Sequence, residues 1–279
     1  MTGILSTGST GTGSKILAPS MVLRTIQDAV RKNLVFRPLA AVVIPPSQIP
    51  GSTVKISQRT PESMKVHKVG EGAEFPVGQE TYTQVTFTPV KYGVTVGITR
   101  EMIEDGMFAS VQMNAETAGY ELADNEDSLV VTALGTASAA ASHDVANANA
   151  TIAITDITEA MQNLETDGYR PSHIICGVEV VNDLRNIDTF HEANKSGGVS
   201  SQDRLIGTIF GMKVLWSRNV SAKLAFVIDA NHAFGIADKR PVTIEHFDDF
   251  LRDTHHIVAS QRVDVQALRN NAVSEITTT

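Results

Sequence analysis

Between residues 53 and 90 the chain alternates like a pair of strands, yet it holds too few apolar side chains to fold alone. Val54 and Ile56 alternate with Lys55 and Ser57, and Met64 and Val66 with Lys65 and His67. Val85 and Phe87 alternate with Gln84, Thr86 and Thr88. Period-two patterning on both sides of Gly70-Glu71-Gly72 predicts a β-hairpin. With arms of roughly a dozen residues it would reach ~40 Å at ~3.3 Å per residue. A two-stranded hairpin is marginal in water, so this one needs a partner surface, either its own body or a neighbouring copy. Its charges are also sorted. Lys55, Arg59, Lys65 and Lys68 precede the turn, with Glu62 the exception, and Glu71, Glu74 and Glu80 lie at or after it. A solvated hairpin with paired arms accounts for this; so does a strap meeting complementary charge on an adjacent subunit.

The rest of the chain can supply a body. Of its 279 residues 42% are hydrophobic, enough for one large domain or two closely associated ones. Residues 1–18 are rich in Gly, Ser and Thr and read as a flexible arm. A short helix is expected over 21–34, with Val22, Ile26, Ala29 and Val30 on one face. Prolines 38, 45, 46 and 50 then keep the chain extended. After the hairpin, Tyr92, Val94, Val96 and Ile98 mark one face of a strand, and a helical turn is expected at 100–104. A long helix is predicted over 109–134, ~39 Å at 1.5 Å per residue. Its expected apolar stripe is Val111, Ala115, Ala118, Leu122, Leu129 and Ala133. Gly135 is its expected terminator, and Glu121, Asp124, Glu126 and Asp127 its expected solvent side.

Residues 135–150 read as a small-residue connector. An α/β pattern follows: a helix opened by Asp156 with Glu159 and closed by Asp167-Gly168, a strand at 173–176, and a helix at 178–186. Residues 190–203, with Gly197 and Gly198, are expected to form a mobile loop. Strands are predicted at 212–217, 224–228, 234–237 and 242–247. A last long strand carries Ile257, Ala259, Val263, Val265 and Ala267 on one face.

Signatures of catalysis are weak. Gly11-Thr12-Gly13-Ser14-Lys15 lacks the spacing and the preceding strand of a phosphate loop. No H-e-x-x-h, C-x-x-C or G-x-S-x-G motif occurs. Glu245, His246, Asp248, Asp249 and Asp253 are the best cluster of potential cation ligands, with a solvated acidic loop as the default. A metal-dependent enzyme using Glu245, His246 and Asp249 is the competing catalytic reading. His255 and His256 are adjacent on a predicted strand, so they point to opposite faces. Cys176 lies in an apolar run and reads as a small core residue. No cofactor is expected. The formal charge of −8 argues against a general nucleic-acid binder, which needs cations to neutralise phosphates. No apolar run approaches the ~20 residues of a membrane span. The front of the chain lacks the basic start and apolar centre of a signal peptide, so a cytoplasm-like compartment is expected.

The order of elements is distinctive: arm, short helix, long hairpin, strand, long helix, α/β module, final long strand. It resembles the major capsid proteins of tailed viruses, the Hong Kong 97-type fold. The stretches that carry the resemblance are VGEGAEFP (69–76), TFTPVKYGVTVGITREMIED (86–105), GTIFGMKVLWSRNV (207–220) and VASQRVDVQALRNNAV (258–273). The resemblance implies an α+β fold with an N-terminal arm over residues 1–53 and an extended loop over 54–90. It implies a peripheral domain from 91–149 and 241–279, with the long helix as its spine, and an axial domain over 150–240.

In that picture Lys65, Lys68, Glu71, Glu74 and Phe75 contact a neighbouring subunit, and Phe190, Gly197 and Gly198 lie near the symmetry axes. Some relatives cross-link a loop Lys to a distant Asn; Lys65 or Lys68 with Asn270 or Asn271 would be the pair here. The implied function is a self-assembling icosahedral head of hexamers and pentamers, enclosing double-stranded DNA and assembled in the host cytoplasm. A net acidic wall suits that, because a shell holding dense DNA should not grip it. Members with a built-in scaffold carry a long extra N-terminal region that this sequence does not show. A separate scaffolding protein, or none, is therefore implied, with portal and decoration proteins as further partners. An encapsulin-like cellular compartment is the alternative within the same fold.

Overall fold

A computed structural model of the chain describes residues 34–60, 66–75, 77–101, 108–149, 151–186, 205–249 and 251–278. Its strands sort into three sheets. The largest, six-stranded, combines β5 (Asp144–Asn147), β6 (His173–Cys176), β7 (Leu205–Ile209), β8 (Met212–Trp216), β9 (Leu224–Ile228) and β12 (Val273–Thr278) in the order β5-β12-β9-β6-β8-β7. Its central strands are continuous apolar runs because both faces are buried. Ile174, Cys176, Ala225 and Val227 pack under two helices, α2 (Ile154–Thr166) and α3 (Val178–Asn186). Ile175, Phe226 and Ile228 face the other way, towards the long helix α1 (Phe108–Ala141).

The second sheet has four strands in the order β1-β10-β11-β4: β1 (Val42–Ile44), β10 (Phe234–Asp249), β11 (Thr254–Ala267) and β4 (Val90–Thr99). The first half of α1 packs on it through Ala118, Leu122 and Ala123, against Ile98, Ile257 and Ala259. The second half reaches the six-stranded sheet through Val130, Leu134 and Ala137. One helix therefore joins both sheets, as a spine. The third sheet is the hairpin of β2 (Val54–Arg59) and β3 (Tyr82–Phe87).

Several expectations hold. Strands β6 and β9 and helix α3 match their predicted bounds. Helix α2 ends where Asp167-Gly168 predicted, with Gly168 at φ 81° and Tyr169 N–H donating to the Leu164 carbonyl at 2.9 Å.

Others are corrected. The spine helix runs through Gly135 to Ala141, about 51 Å at 1.5 Å per residue. Residues 136–141 are mostly Ala, a strong helix former, so one Gly does not stop it. Its end is instead a Schellman turn at Ser142, φ 58°, with Ser142 N–H on the Ala139 carbonyl and His143 N–H on that of Ser138. Asp156 is not the residue before α2 but sits inside its first turn. Its carboxylate accepts the Ala153 N–H at 2.8 Å, and Glu159 is exposed. The strands predicted at 234–237 and 242–247 are one strand, β10, whose register slips between Asp238 and Thr243. Pro241 lies in that slip; lacking an N–H, it is tolerated at an irregularity within a ladder. Strands β5, β7 and β12 had no prediction.

The largest correction concerns α1's charges. Glu121 is exposed as expected, but Glu126 and Asp127 are 1% and 2% exposed. The face expected to meet solvent is a seam with the segment that follows Leu34.

Candidate functional site

Two regions carry the chain into and out of the extended loop. The first is the seam. Asp127 accepts the backbone N–H of Val35 at 3.2 Å and of Phe36 at 3.3 Å. Phe36 is fully buried against the second half of α1 and β10. Arg37 donates to Glu126 at 2.9 and 3.2 Å and also to Asp238 on β10. A single guanidinium thus ties helix to sheet. Burial pushes the Glu126 carboxyl up to about 7, against the pull of Arg37. Burial also opposes the charge on Arg37, but its two carboxylate partners outweigh this and raise its pKa above the ordinary value. Both shifts are upward, which disfavours the charge on Glu126 and favours it on Arg37: Glu126 is almost wholly removed from water, whereas the Arg37 side chain keeps 31% exposure. Beyond the seam, β1 pairs in parallel with β10, Ile49 is buried, and Lys239 donates to the carbonyls of Ile49 and, at 3.0 Å, Gly51.

The second region is the loop. Its root is anchored: Phe87 is fully buried with Ile44, Ile49 and Ala237, and Val54, Ile56 and Val85 pack beside them. Thr88 N–H donates to Asp264 at 2.6 Å, and Arg269 donates to the Arg59 carbonyl. The ladder has six pairs, from Val54↔Phe87 to Arg59↔Tyr82, and Thr60 N–H adds a bond to the Thr81 carbonyl at 2.9 Å. That register centres the hairpin on residues 70 and 71. The turn is there: Ala73 N–H reaches the Gly70 carbonyl at 3.1 Å, with Gly72 at φ 77° in the position that demands a glycine.

Between ladder and turn the expected strand pairing is missing among the described residues. Residues 66–70 and 77–81 form no strand. Apolar side chains here stand in water, Val66 at 103% exposure, Phe75 at 78% and Val77 at 93%. The sorted charges pair at the root, where Arg59 meets Glu80 at 3.3 Å. Lys68, Glu71 and Glu74 are exposed at the tip and make no ion pair among the described residues.

The remaining expected residues fall as follows. Lys65 and the loop with Phe190, Gly197 and Gly198 lie outside the described residues, as do the helix expected before Leu34 and the arm. Asn270 and Asn271 sit on a 3-10 turn, Asn270–Ala272, between β11 and β12, and Asn271 donates to Asp167 at 2.7 Å. Among the described residues no group of three or more His, Cys, Asp or Glu is placed to hold a metal ion. Three acids of that cluster are engaged elsewhere, and Glu245 is exposed on β10. Asp248 meets His255 at 2.6 Å, Asp253 meets Arg100 at 3.2 Å, and Asp249 accepts the Leu251 N–H at 3.0 Å. His256 instead stacks on Phe247. Cys176 is fully buried, its thiol pushed up to about 12 by burial, which leaves it unreactive. No helix among the described residues is long and apolar enough to cross a membrane.

Two sheets bridged by a spine helix, with an extended two-stranded loop thrown out from the four-stranded one, define the Hong Kong 97-type fold of shell-forming subunits. The phage capsid family model matches residues 14–277, and the chain belongs to that family. Similar solved structures share the fold at low identity. One from Mycobacterium phage Bobi is 15% identical, with 90% of each chain covered and a TM-score of 0.65. The capsid structure of cyanophage P-SCSP1u is 14% identical, with 88% of each chain covered and a TM-score of 0.63. A virus-like particle from Pyrococcus furiosus is 14% identical, covering 92% of this chain and 98% of that one, with a TM-score of 0.64. No curated protein sequence gives a significant match. The chain is a major capsid protein, a structural subunit of a phage shell.

Proposed function

We propose that copies of this chain close into an icosahedral head of pentamers and hexamers around packaged double-stranded DNA, and that the loop over 54–90 straps each copy to its neighbour. The observation that carries this reading is the tip. Val66, Phe75 and Val77 are exposed apolar side chains on backbone that forms no ladder among the described residues, carried on a root that is itself firmly packed. A subunit that leaves such a surface in water is completed by association. Lys68, Glu71 and Glu74 supply the polar contacts around Phe75, and with Lys65 they set the register of the strap.

The six-stranded sheet with α2 and α3 serves as the axial domain around residues 150–240, with the loop at Phe190, Gly197 and Gly198 near the symmetry axes. The four-stranded sheet and the spine serve as the peripheral domain, from 91–149 and 241–279. The role is structural rather than catalytic, played in the virion after assembly in the host cytoplasm. Scaffolding, portal and decoration proteins are the expected partners. A covalent link from Lys68 to Asn270 of a neighbour is the cross-link such a strap would allow; sodium dodecyl sulfate gels of assembled shells that resolve only monomer would remove it. The family match supports a virus head over an encapsulin-like compartment, and purified shells carrying one defined enzyme cargo would reverse that preference.

The test is deletion of residues 65–79. The shortened subunit should stay folded but form few or no particles by size exclusion and negative-stain microscopy. If it fails to fold, the tip belongs to the core and the strap is wrong. Full-length chain that remains monomer or dimer under all assembly conditions, scaffold included, would sink the shell reading as a whole.

A further inference from the structure

The root of the extended loop is held differently at its two ends. At the near end Phe87 is fully buried, Thr88 N–H donates to Asp264 at 2.6 Å, and Arg262 donates to the Pro89 carbonyl at 3.0 Å. Gln266 donates to Asp264 at 3.2 Å, which steadies that carboxylate from its own strand. At the outer end the ladder parts from the body. Between it and the turn that joins β11 to β12 lies a cavity of about 310 Å³. Thr60, Thr83 and Val85 line its loop side, and Tyr169, Leu268 and Asn271 its body side.

Packing does not hold this outer end. Gln58 lies on the same face of the ladder as Val54 and Ile56, yet its Oε1 is buried with no hydrogen-bond partner. A buried acceptor left unpaired disfavours the position that buries it. Among the described residues one hydrogen bond runs from the body to residues 57–60 and 80–85: Arg269 donates to the Arg59 carbonyl. A guanidinium suits that task, because a charged donor binds a carbonyl more strongly than a neutral one. Arg269 stands beside Tyr169, whose phenol is raised by burial, with the Arg269 charge acting against that rise. It also follows just past the end of β11, the strand that carries Asp264 and Arg262. The same stretch of chain therefore grips the near end and reaches the outer one.

We propose that Arg269 is a latch that sets the angle of the extended loop: its bond to the Arg59 carbonyl ties the outer end of the ladder across the cavity, and its release lets that end swing about the fixed end at Phe87. Arg269 is thus a positioning residue, and the hinge is the step from packed to unpacked ladder near Ile56 and Val85. The importance of the latch for shell building rests on the strap reading, since a strap meets its neighbour only when its angle is set. The latch itself belongs to the single subunit.

Pulsed electron paramagnetic resonance on unassembled subunits tests the latch apart from assembly. Spin labels at Thr81→Cys and Glu159→Cys report the outer end against α2, and labels at Lys55→Cys and Glu159→Cys report the near end; all three positions are exposed. Cys176 is fully buried and takes no label. The parent chain should give one narrow distance for each pair. Arg269→Met keeps the stem and removes the donor. It should broaden or move the distance of the outer pair and leave the near pair unchanged, and Arg269→Lys should restore the narrow distance. An outer pair that is the same in Arg269→Met as in the parent would overturn the latch. So would a near pair that spreads along with it, because Arg269 would then hold the whole root together rather than set its angle. An Arg269→Lys chain as broad as Arg269→Met would overturn it too. Should deletion of residues 65–79 leave particle formation intact, the strap falls, while these distances still decide the latch.

Discussion

Phe87 and Phe75 belong to the same extended loop, yet one is fully buried between β1, β10 and the hairpin root and the other is 78% exposed at the tip. The root satisfies its apolar side chains and backbone within the chain: six ladder pairs, the bond from Thr88 to Asp264, and the Arg59–Glu80 pair. Among the described residues the tip satisfies only its turn, through Ala73 and Gly70. One hairpin is therefore a folded element at one end and, on the proposed reading, an unfinished interface at the other. Stability of the subunit and competence to assemble should separate along it.

The largest expected effect is at the root. Phe87→Ala should cost about 3–5 kcal/mol, the usual cost of truncating a fully buried Phe, measured by urea unfolding of unassembled subunits. It should also impair assembly, since the tip would lose its fixed base. Next is the seam that delivers the chain to the loop. Arg37→Ala leaves Glu126 and Asp238 facing each other without their shared cation. The expected cost is about 3 kcal/mol, at the low end for a broken buried pair because Arg37 is partly exposed and Glu126 can take up a proton.

The pH dependence of that seam has a definite sign. A carboxyl raised from its ordinary value to about 7 holds its proton more tightly in the folded chain than in the unfolded one. Its contribution to stability is therefore complete below about 4.5 and is lost as pH rises through about 7. Glu126→Gln should remove a decline on the order of 2–3 kcal/mol across that window, read as a flatter plot of unfolding free energy against pH. An unchanged slope would show that Glu126 stays ionised throughout. Smallest in stability, and sharpest for the comparison, is Phe75→Ala. Unfolding should move by less than about 0.5 kcal/mol, as for an exposed position, while particle yield falls. If Phe75→Ala destabilises the subunit as Phe87→Ala does, the tip is not an interface in waiting.

Much of the architecture was legible because its signals are local. Alternation in β4 and β11, the apolar runs of β6 and β9, and the Asp167-Gly168 stop of α2 each report burial and turn chemistry within a few residues. The hairpin's centre was legible for the same reason, since Gly72 is needed at positive φ. Three kinds of feature were not. Strands β5 and β12 are short and take their place from partners far away in sequence, such as Ile276 opposite Ala225 and Val145, and β7 is a short edge strand joined to β8 by the tight turn at Phe210-Gly211. The end of α1 depended on a run of Ala outweighing one Gly.

Glu126 and Asp127 read as solvent-facing because nothing near them signals a cation or unpaired N–H groups; those come from residues 35–37, some 90 positions earlier. The sequence by itself determined that residues 53–90 form a hairpin too poor in apolar side chains to stand alone, because alternation and turn residues are written locally. Only the tertiary structure decided where that hairpin stops being part of the subunit. Among the described residues its ladder ends at Arg59 and Tyr82, beyond the root that packs with Ile44, Ile49, Phe87 and Ala237, and that cluster is brought together only by the packed chain.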